Sequence, residues 1–151
     1  MQKEVPKIGK KIDKKKQGRN NRRRGKEFEL KTRKDMESRG WTVFRNQNDV
    51  INGTFQQAKA KWNPFTRMPM SISTGFPDYL AISSNHDINF VECKRGKYLD
   101  KIEKEKCAWI EKHLDIPVLV AYPMMKSPRV EVITYKNWKE IGREKETCQK
   151  K

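Results

Sequence analysis

Gly75-Phe-Pro-Asp-Tyr-Leu-Ala-Ile-Ser-Ser-Asn-His-Asp-Ile-Asn-Phe-Val-Glu-Cys-Lys94 reads as two apolar strands, near 78–83 and 88–94, joined by a polar turn. Asp78, Glu92 and Lys94 interrupt the apolar pattern. Charges in strands that build a core are costly unless they are paired or bind an ion. Side chains alternate along a strand, so Ile88, Phe90, Glu92 and Lys94 share one face and Val91 and Cys93 the other. A turn centred on Asn85 sets Asp78 opposite Glu92, with Cβ atoms about 5 Å apart. Two ionised carboxylates at that spacing repel by about 3 kcal/mol at an effective dielectric near 20. Lys94 offsets one of the two charges. A shared proton or a divalent cation must offset the other.

Working outward, Gly25 to Arg39 is rich in Glu, Lys, Arg, Leu and Met and predicts a helix ended by Gly40. Phe28, Thr32 and Met36 form its core-facing stripe. Glu29 lies about 60° from the centre of that stripe and Glu27 about 140° away, so Glu29 looks along the sheet toward the hairpin. Trp41 to Arg45 predicts a strand, and 46–76 a long polar loop. After Gly96 the pattern predicts a helix over about 99–114, on which Ile102, Lys106, Trp109 and His113 share a stripe. Lys106 interrupts that apolar stripe near the motif strand, as a site-edge residue reaching a phosphate or a carboxylate, or as a snorkelling lysine. Strands follow at Pro117–Tyr122 and Arg129–Thr134, with a short closing helix over 136–143. This order predicts an α/β domain with a mixed central sheet flanked by helices.

The chain has 151 residues, enough for one domain with a real core. Its net charge is +16, and residues 1–24 hold eleven Lys or Arg against Glu4 and Asp13. A block of like charge cannot bury a core, which predicts a disordered basic arm over 1–24. The domain then spans 25–143 and a C-terminal tail 144–151. The remaining residues are basic as well, so a polyanion, nucleic acid before an anionic membrane, is the expected partner. Within the long loop Phe55, Lys59, Lys61, Trp62, Phe65 and Arg67 interleave aromatic and basic groups. The mixture suits stacking on unpaired bases with phosphate contact, or aromatics that pin the loop to the core. Arg22, Arg23, Arg24, Arg95 and Lys97 complete the expected DNA-binding set.

Cys93, Cys107 and Cys148 are odd in number and scattered, which suits a reducing compartment. No C-x-x-C occurs and His86 and His113 are the only histidines, which argues against a structural zinc site and against histidine-based nuclease chemistry. The N-terminus has charges without an apolar h-region, and no apolar run of membrane length occurs. The expectation is a soluble, non-secreted, cytoplasmic protein associated with a nucleoid or viral DNA. Three acids, Asp78, Glu92 and Glu29, beside one lysine make an oxygen-donor set suited to magnesium.

Gly75-Phe-Pro-Asp78 followed by Glu92-Cys-Lys94 resembles the signature of the PD-(D/E)xK nuclease superfamily, with its restriction-endonuclease-like fold. Within it the layout is most similar to small archaeal or viral Holliday-junction resolvases and virus-type replication-repair nucleases. Arg24-Gly-Lys-Glu-Phe-Glu29 and Gly40-Trp-Thr-Val-Phe-Arg45 resemble their opening helix and strand. The resemblance covers roughly 22–135. It implies Asp78 and Glu92 as metal ligands, the Cys93 carbonyl as a backbone ligand, and Lys94 activating water and stabilising phosphate charge. Glu29 completes the site, directly or through water. The implied activity is magnesium-dependent endonucleolytic hydrolysis of DNA, with manganese as a substitute and branched DNA as substrate. The alternatives are the same site acting on other flaps, nicks or linear duplex, or a non-catalytic nucleic-acid-binding protein. Two departures stand out: Lys106, before Trp109, takes the place where related nucleases often carry Gln, and 46–76 is longer than a compact resolvase needs. Two opposed cuts require two sites, which implies a homodimer, with Ile116, Val118, Tyr122, Met124 and Met125 as apolar residues for an interface or for the core.

Overall fold

The computed structural model describes residues 14–60, 62–69, 75–96, 98–124 and 129–135. Helix α1 spans Lys14–Ser38 and buries Phe28, Thr32 and Met36, the stripe expected from the sequence. It ends where glycine is needed. Gly40 has φ +86°, its N–H donates to Glu37 O, and Trp41 N donates to Met36 O. These two bonds form a Schellman motif, which satisfies carbonyls that the last turn would otherwise leave open.

The start of α1 corrects one expectation. Residues 14–24, assigned above to a disordered arm, are helical. Lys, Arg and Gln are strong helix formers, and extending an existing helix fixes one residue per hydrogen bond gained. A stable turn at Phe28 therefore propagates backward, while the charges stay in water. Residues 1–13 of the arm lie outside the described residues, as do the expected helix 136–143 and the tail 144–151.

Strand β1 (Thr42–Arg45) follows the helix. The supposed loop 46–76 is the second correction. It contains β2 (Asn48–Ile51) paired with β3 (Thr54–Gln57), and β4 (Trp62–Asn63) paired with β5 (Met68–Pro69). Asn52 and Gly53 join β2 to β3 with φ of +52° and +71°. Two left-handed residues in a two-residue turn give the twist a hairpin needs, and Asn-Gly supplies them at low cost. Phe55 then packs edge-on against Phe90, ring centroids 5.5 Å apart, so this part of the segment is pinned to the core.

Strands β6 (Tyr79–Ile82) and β7 (Ile88–Cys93) form the hairpin of the opening stretch. Their register is the expected one, with Tyr79 opposite Val91, Leu80 opposite Phe90, Ala81 opposite Asn89 and Ile82 opposite Ile88. Helix α2 (Lys101–Leu114) then crosses to β8 (Val118–Pro123), which lies parallel to β7, and β9 (Val130–Thr134) closes the sheet. The five-stranded sheet has the order β1-β6-β7-β8-β9, antiparallel except at β7–β8. The domain is thus mixed α/β.

The sheet's two faces build two cores. Phe28 and Met36 of α1 pack with Val43, Tyr79, Ala81, Val91, Ala121 and Val130 on one. Cys107 and Ile110 of α2 pack with Phe90, Val118 and Val120 on the other. The buried stripe of α2 is centred on Cys107 and Ile110, and Ile102 is 62% exposed. The stripe expected through Ile102 is therefore rotated, because β8 meets the helix at Cys107 and Ile110. Val118 belongs to this core and is unavailable to a dimer interface; Met124 is exposed, and Met125 lies outside the described residues. No helix among the described residues is long and apolar enough to cross a membrane.

Candidate active site

Asp78 is delivered by the turn that leads into β6. Asn46, 6% exposed, brackets this turn: its side-chain NH2 donates to Pro77 O at 2.8 Å and to Asn48 O at 3.0 Å, and its backbone N–H donates to Asp78 O at 3.0 Å. Gly75 runs so close to this bracket that a Cβ there would overlap the Asn48 carbonyl. That close approach explains the glycine.

Asp78 sits just before β6, where the hairpin ladder ends. Its Oδ2 accepts from Cys93 N at 2.8 Å, and its own N–H donates to Glu92 Oε2 at 3.3 Å. The two acids are thus tied to each other's strands. In a strand, N–H and C=O of one residue point to the same side. The Cys93 carbonyl is therefore directed toward the Asp78 edge, which fits its expected role as a backbone ligand.

Glu92 is 4% exposed and lies on the α2 side of the sheet with Lys94. Lys94 Nζ is 3.0 Å from Glu92 Oε1 and also pairs with Glu103 Oε1. Glu103 is a residue that the sequence reading missed. It is the third helical residue of α2 and forms a capping box with Asp100: Glu103 N donates to Asp100 Oδ1 at 2.8 Å, and Asp100 N donates to Glu103 Oε2 at 3.0 Å. One carboxylate therefore fixes both the helix start and the lysine. The Asp-x-x-Glu pattern before an apolar stripe was the available signal.

Glu29 and Glu27 separate as the helical angles require. Glu29 is 3.5 Å from Arg45 and 23% exposed, and its charge acts on Asp78. Glu27 is 63% exposed and pairs with Arg23 at 3.5 Å on the outer face. Lys106 reaches a carboxylate: its Nζ lies 2.7 and 2.8 Å from the two oxygens of Asp49 on β2, and 5.5 Å from the Phe76 ring centroid. That pair clamps the β2–β3 hairpin onto α2. A loop over 46–76 gives Asp49 no defined direction, and only its place in β2 aims it at Lys106.

Electrostatics mark Asp78 and Glu92 as unusual. Burial, followed by the charge of Glu29, pushes Asp78 up to about 6 against the bond from Cys93 and the field of Lys94. Burial, followed by Asp78, pushes Glu92 up to about 8. Burial alone would lower Lys94, but Glu92 and Glu103 outweigh it and hold the ammonium charged. Lys94 thus pulls Glu92 toward ionisation while Asp78 and burial pull it back. Glu103, which is less buried than Glu92, already supplies a counter-charge to Lys94. The direction for the pair is therefore upward: the two acids share a proton near neutral pH unless a cation replaces it. Burial also raises both the Cys93 and Cys107 thiols, which leaves no thiolate nucleophile here at neutral pH.

Among the described residues no three His, Cys, Asp or Glu side chains converge as a closed metal cage would need. Magnesium asks for less. It keeps several waters and is bound by one or two carboxylates together with substrate phosphate. Two under-neutralised carboxylates, half-buried Asp78 and buried Glu92, beside a backbone carbonyl fit that ion and do not fit zinc, which favours nitrogen and sulfur ligands.

The expected DNA-binding residues occupy several surfaces. Arg22, Arg23 and Arg24 are exposed on α1, Lys59 and Arg67 on the 46–76 segment, and Arg95 just beyond β7. Trp62 is 61% exposed. Lys61 and Lys97 lie outside the described residues. In comparisons with family models, curated proteins and solved structures, the chain matches none.

Proposed function

We propose that this chain is a magnesium-dependent DNA endonuclease of the restriction-endonuclease-like kind, with branched DNA as its preferred substrate. The observation that carries the reading is the pairing of a half-buried carboxylate, Asp78, with a buried one, Glu92, and Lys94 two residues beyond Glu92 on the same face. Asp78, Glu92 and the Cys93 carbonyl are the groups to hold the ion, with Glu29 on the α1 side. Magnesium or manganese, when bound, supplies Lewis-acid polarisation of a phosphoryl oxygen. The protein's own contribution is positional. Glu103 holds the Lys94 ammonium beside Glu92, where it can stabilise negative charge developing on the phosphate. The net charge of +16 draws DNA to the protein without reading its sequence.

A non-catalytic nucleic-acid-binding protein is the second reading. The observation in its favour is that Lys94 is already paired with both Glu92 and Glu103, as a structural ion pair would be. Resolution of a four-way junction needs two sites, so the proposal includes pairing of two copies. A panel of four-way junction, flap, nicked and linear DNA with magnesium tests the reading. The four-way junction should be cut fastest, at two symmetry-related positions. Equal cutting of junction and linear duplex would remove the preference for branched DNA, and no cutting of any substrate would remove the nuclease.

A further inference from the structure

The β4–β5 hairpin carries three large apolar side chains in water. Trp62 is 61% exposed, Phe65 95% and Met68 64%. The turn between the strands is built by its own hydrogen bonds. Asn63 Oδ1 accepts from Phe65 N at 2.9 Å and Thr66 N at 3.4 Å, and Asn63 O accepts from Arg67 N at 3.0 Å. Phe65 is thus held out by the turn and forgoes the core contact that fixes Phe55 against Phe90. The same segment divides into an anchored aromatic and displayed ones.

Charge says what the displayed ones meet. Between Asp49 and Asp78 the chain has no acidic residue, and it carries Lys59, Lys61 and Arg67. Lys59 and Arg67 are exposed. A partner for this surface offers flat apolar faces and negative charge together. Duplex DNA has the charge but hides its base faces in the stack. Unpaired bases present both.

We infer that the β4–β5 hairpin is a stacking platform for unpaired bases, with Phe65 and Trp62 as the stacking groups and Lys59 and Arg67 as phosphate contacts. The inference rests on the nucleic-acid reading above and is independent of hydrolysis. It gives branched or locally melted DNA a physical basis for preference, since such DNA exposes base faces that a continuous duplex does not.

The test uses the full chain in a chelator, so that cleavage plays no part, with fluorescence anisotropy of a labelled oligothymidylate and of a blunt duplex of equal length. Phe65→Ala and Trp62→Ala should each weaken oligothymidylate binding by roughly fivefold to a hundredfold. Duplex affinity should be unchanged, and Phe65→Tyr should bind as the wild type does. The slope of log affinity against log salt should also stay the same, because no phosphate contact is removed. Equal weakening on both probes, or none on oligothymidylate, would overturn this inference alone. A wild-type protein that bound neither probe would overturn the nucleic-acid reading and the inference with it.

Discussion

Asp78→Ala, Glu92→Ala and Lys94→Ala are each expected to lower DNA cleavage by roughly a hundredfold or more, while DNA binding stays close to wild type. The two properties separate because they reside in different groups. On the proposed reading, affinity comes from exposed cations such as Arg22, Arg24, Lys59 and Arg95, none of which touches the acid pair. Glu92→Ala leaves Lys94 paired with Glu103, so no buried ammonium is stranded. Lys94→Ala, in contrast, takes the cation from both Glu92 and Glu103; Glu92 then holds its proton more firmly, and Glu103 loses its ammonium. That variant is therefore assayed beside Lys94→Gln and with its melting temperature measured. On α1, Glu29→Ala should impair cleavage and Glu27→Ala should not, since only Glu29 acts on Asp78. Full activity in any of the three alanine variants at saturating magnesium contradicts the site, and the reverse ranking of Glu29 and Glu27 contradicts the helical-face argument.

In a chelator, the folded protein should lose stability as pH rises from about 4 to about 8, by a few kcal/mol and on the order of several degrees in Tm. Both carboxyls have folded pKa values raised above their unfolded values, Asp78 to about 6 and Glu92 to about 8. Across that window the native state therefore binds more protons than the unfolded state. Stability is fully present below the unfolded pKa values and falls as pH passes through the folded ones. Magnesium should restore it at pH 8 by taking the place of the proton. Asp78→Asn keeps an acceptor for Cys93 N but removes the repulsion. At pH 8 in chelator it should melt above wild type and gain nothing from magnesium. Differential scanning fluorimetry across pH reads both effects. A Tm that climbs from pH 5 to 8 in chelator, or an Asp78→Asn variant less stable than wild type at pH 8, contradicts the electrostatic account.

The hairpin that gathers the site was legible because strand alternation and a single turn centre fix register without any knowledge of the rest of the chain. One slipped residue would have turned Glu92 to the other face. The Phe28–Thr32–Met36 stripe was legible for the same kind of reason, and it carried Glu29 with it. The Asp100-x-x-Glu103 cap was legible, but not the aim of Glu103 at Lys94, because a stripe through Ile102 and Trp109 sets Glu103 to one side. Centred on Cys107 and Ile110, the same helix turns Glu103 inward, toward Lys94. Which of two overlapping stripes is buried depends on where β8 meets the helix, and that is a tertiary fact. Asp49 was missed through turn chemistry: Asn52-Gly53 between Val50-Ile51 and Thr54-Phe55 is a hairpin signal, and reading it as loop hid the strand that presents Asp49 to Lys106. The helical start at Lys14 is hidden in the sequence because a dense run of like charge signals disorder, while the helix propensity of Lys, Arg and Gln acts only once a downstream turn has formed.

The central claim is that the Asp78–Glu92–Lys94 cluster performs chemistry and is not merely a set of structural ion pairs. Incubation of the full chain with supercoiled plasmid, with magnesium and with chelator, tests it most directly. Conversion to nicked and then linear plasmid is expected in magnesium, and none in chelator. Plasmid that is retarded by the protein in a gel, and so bound, yet stays supercoiled in magnesium and in manganese would contradict it.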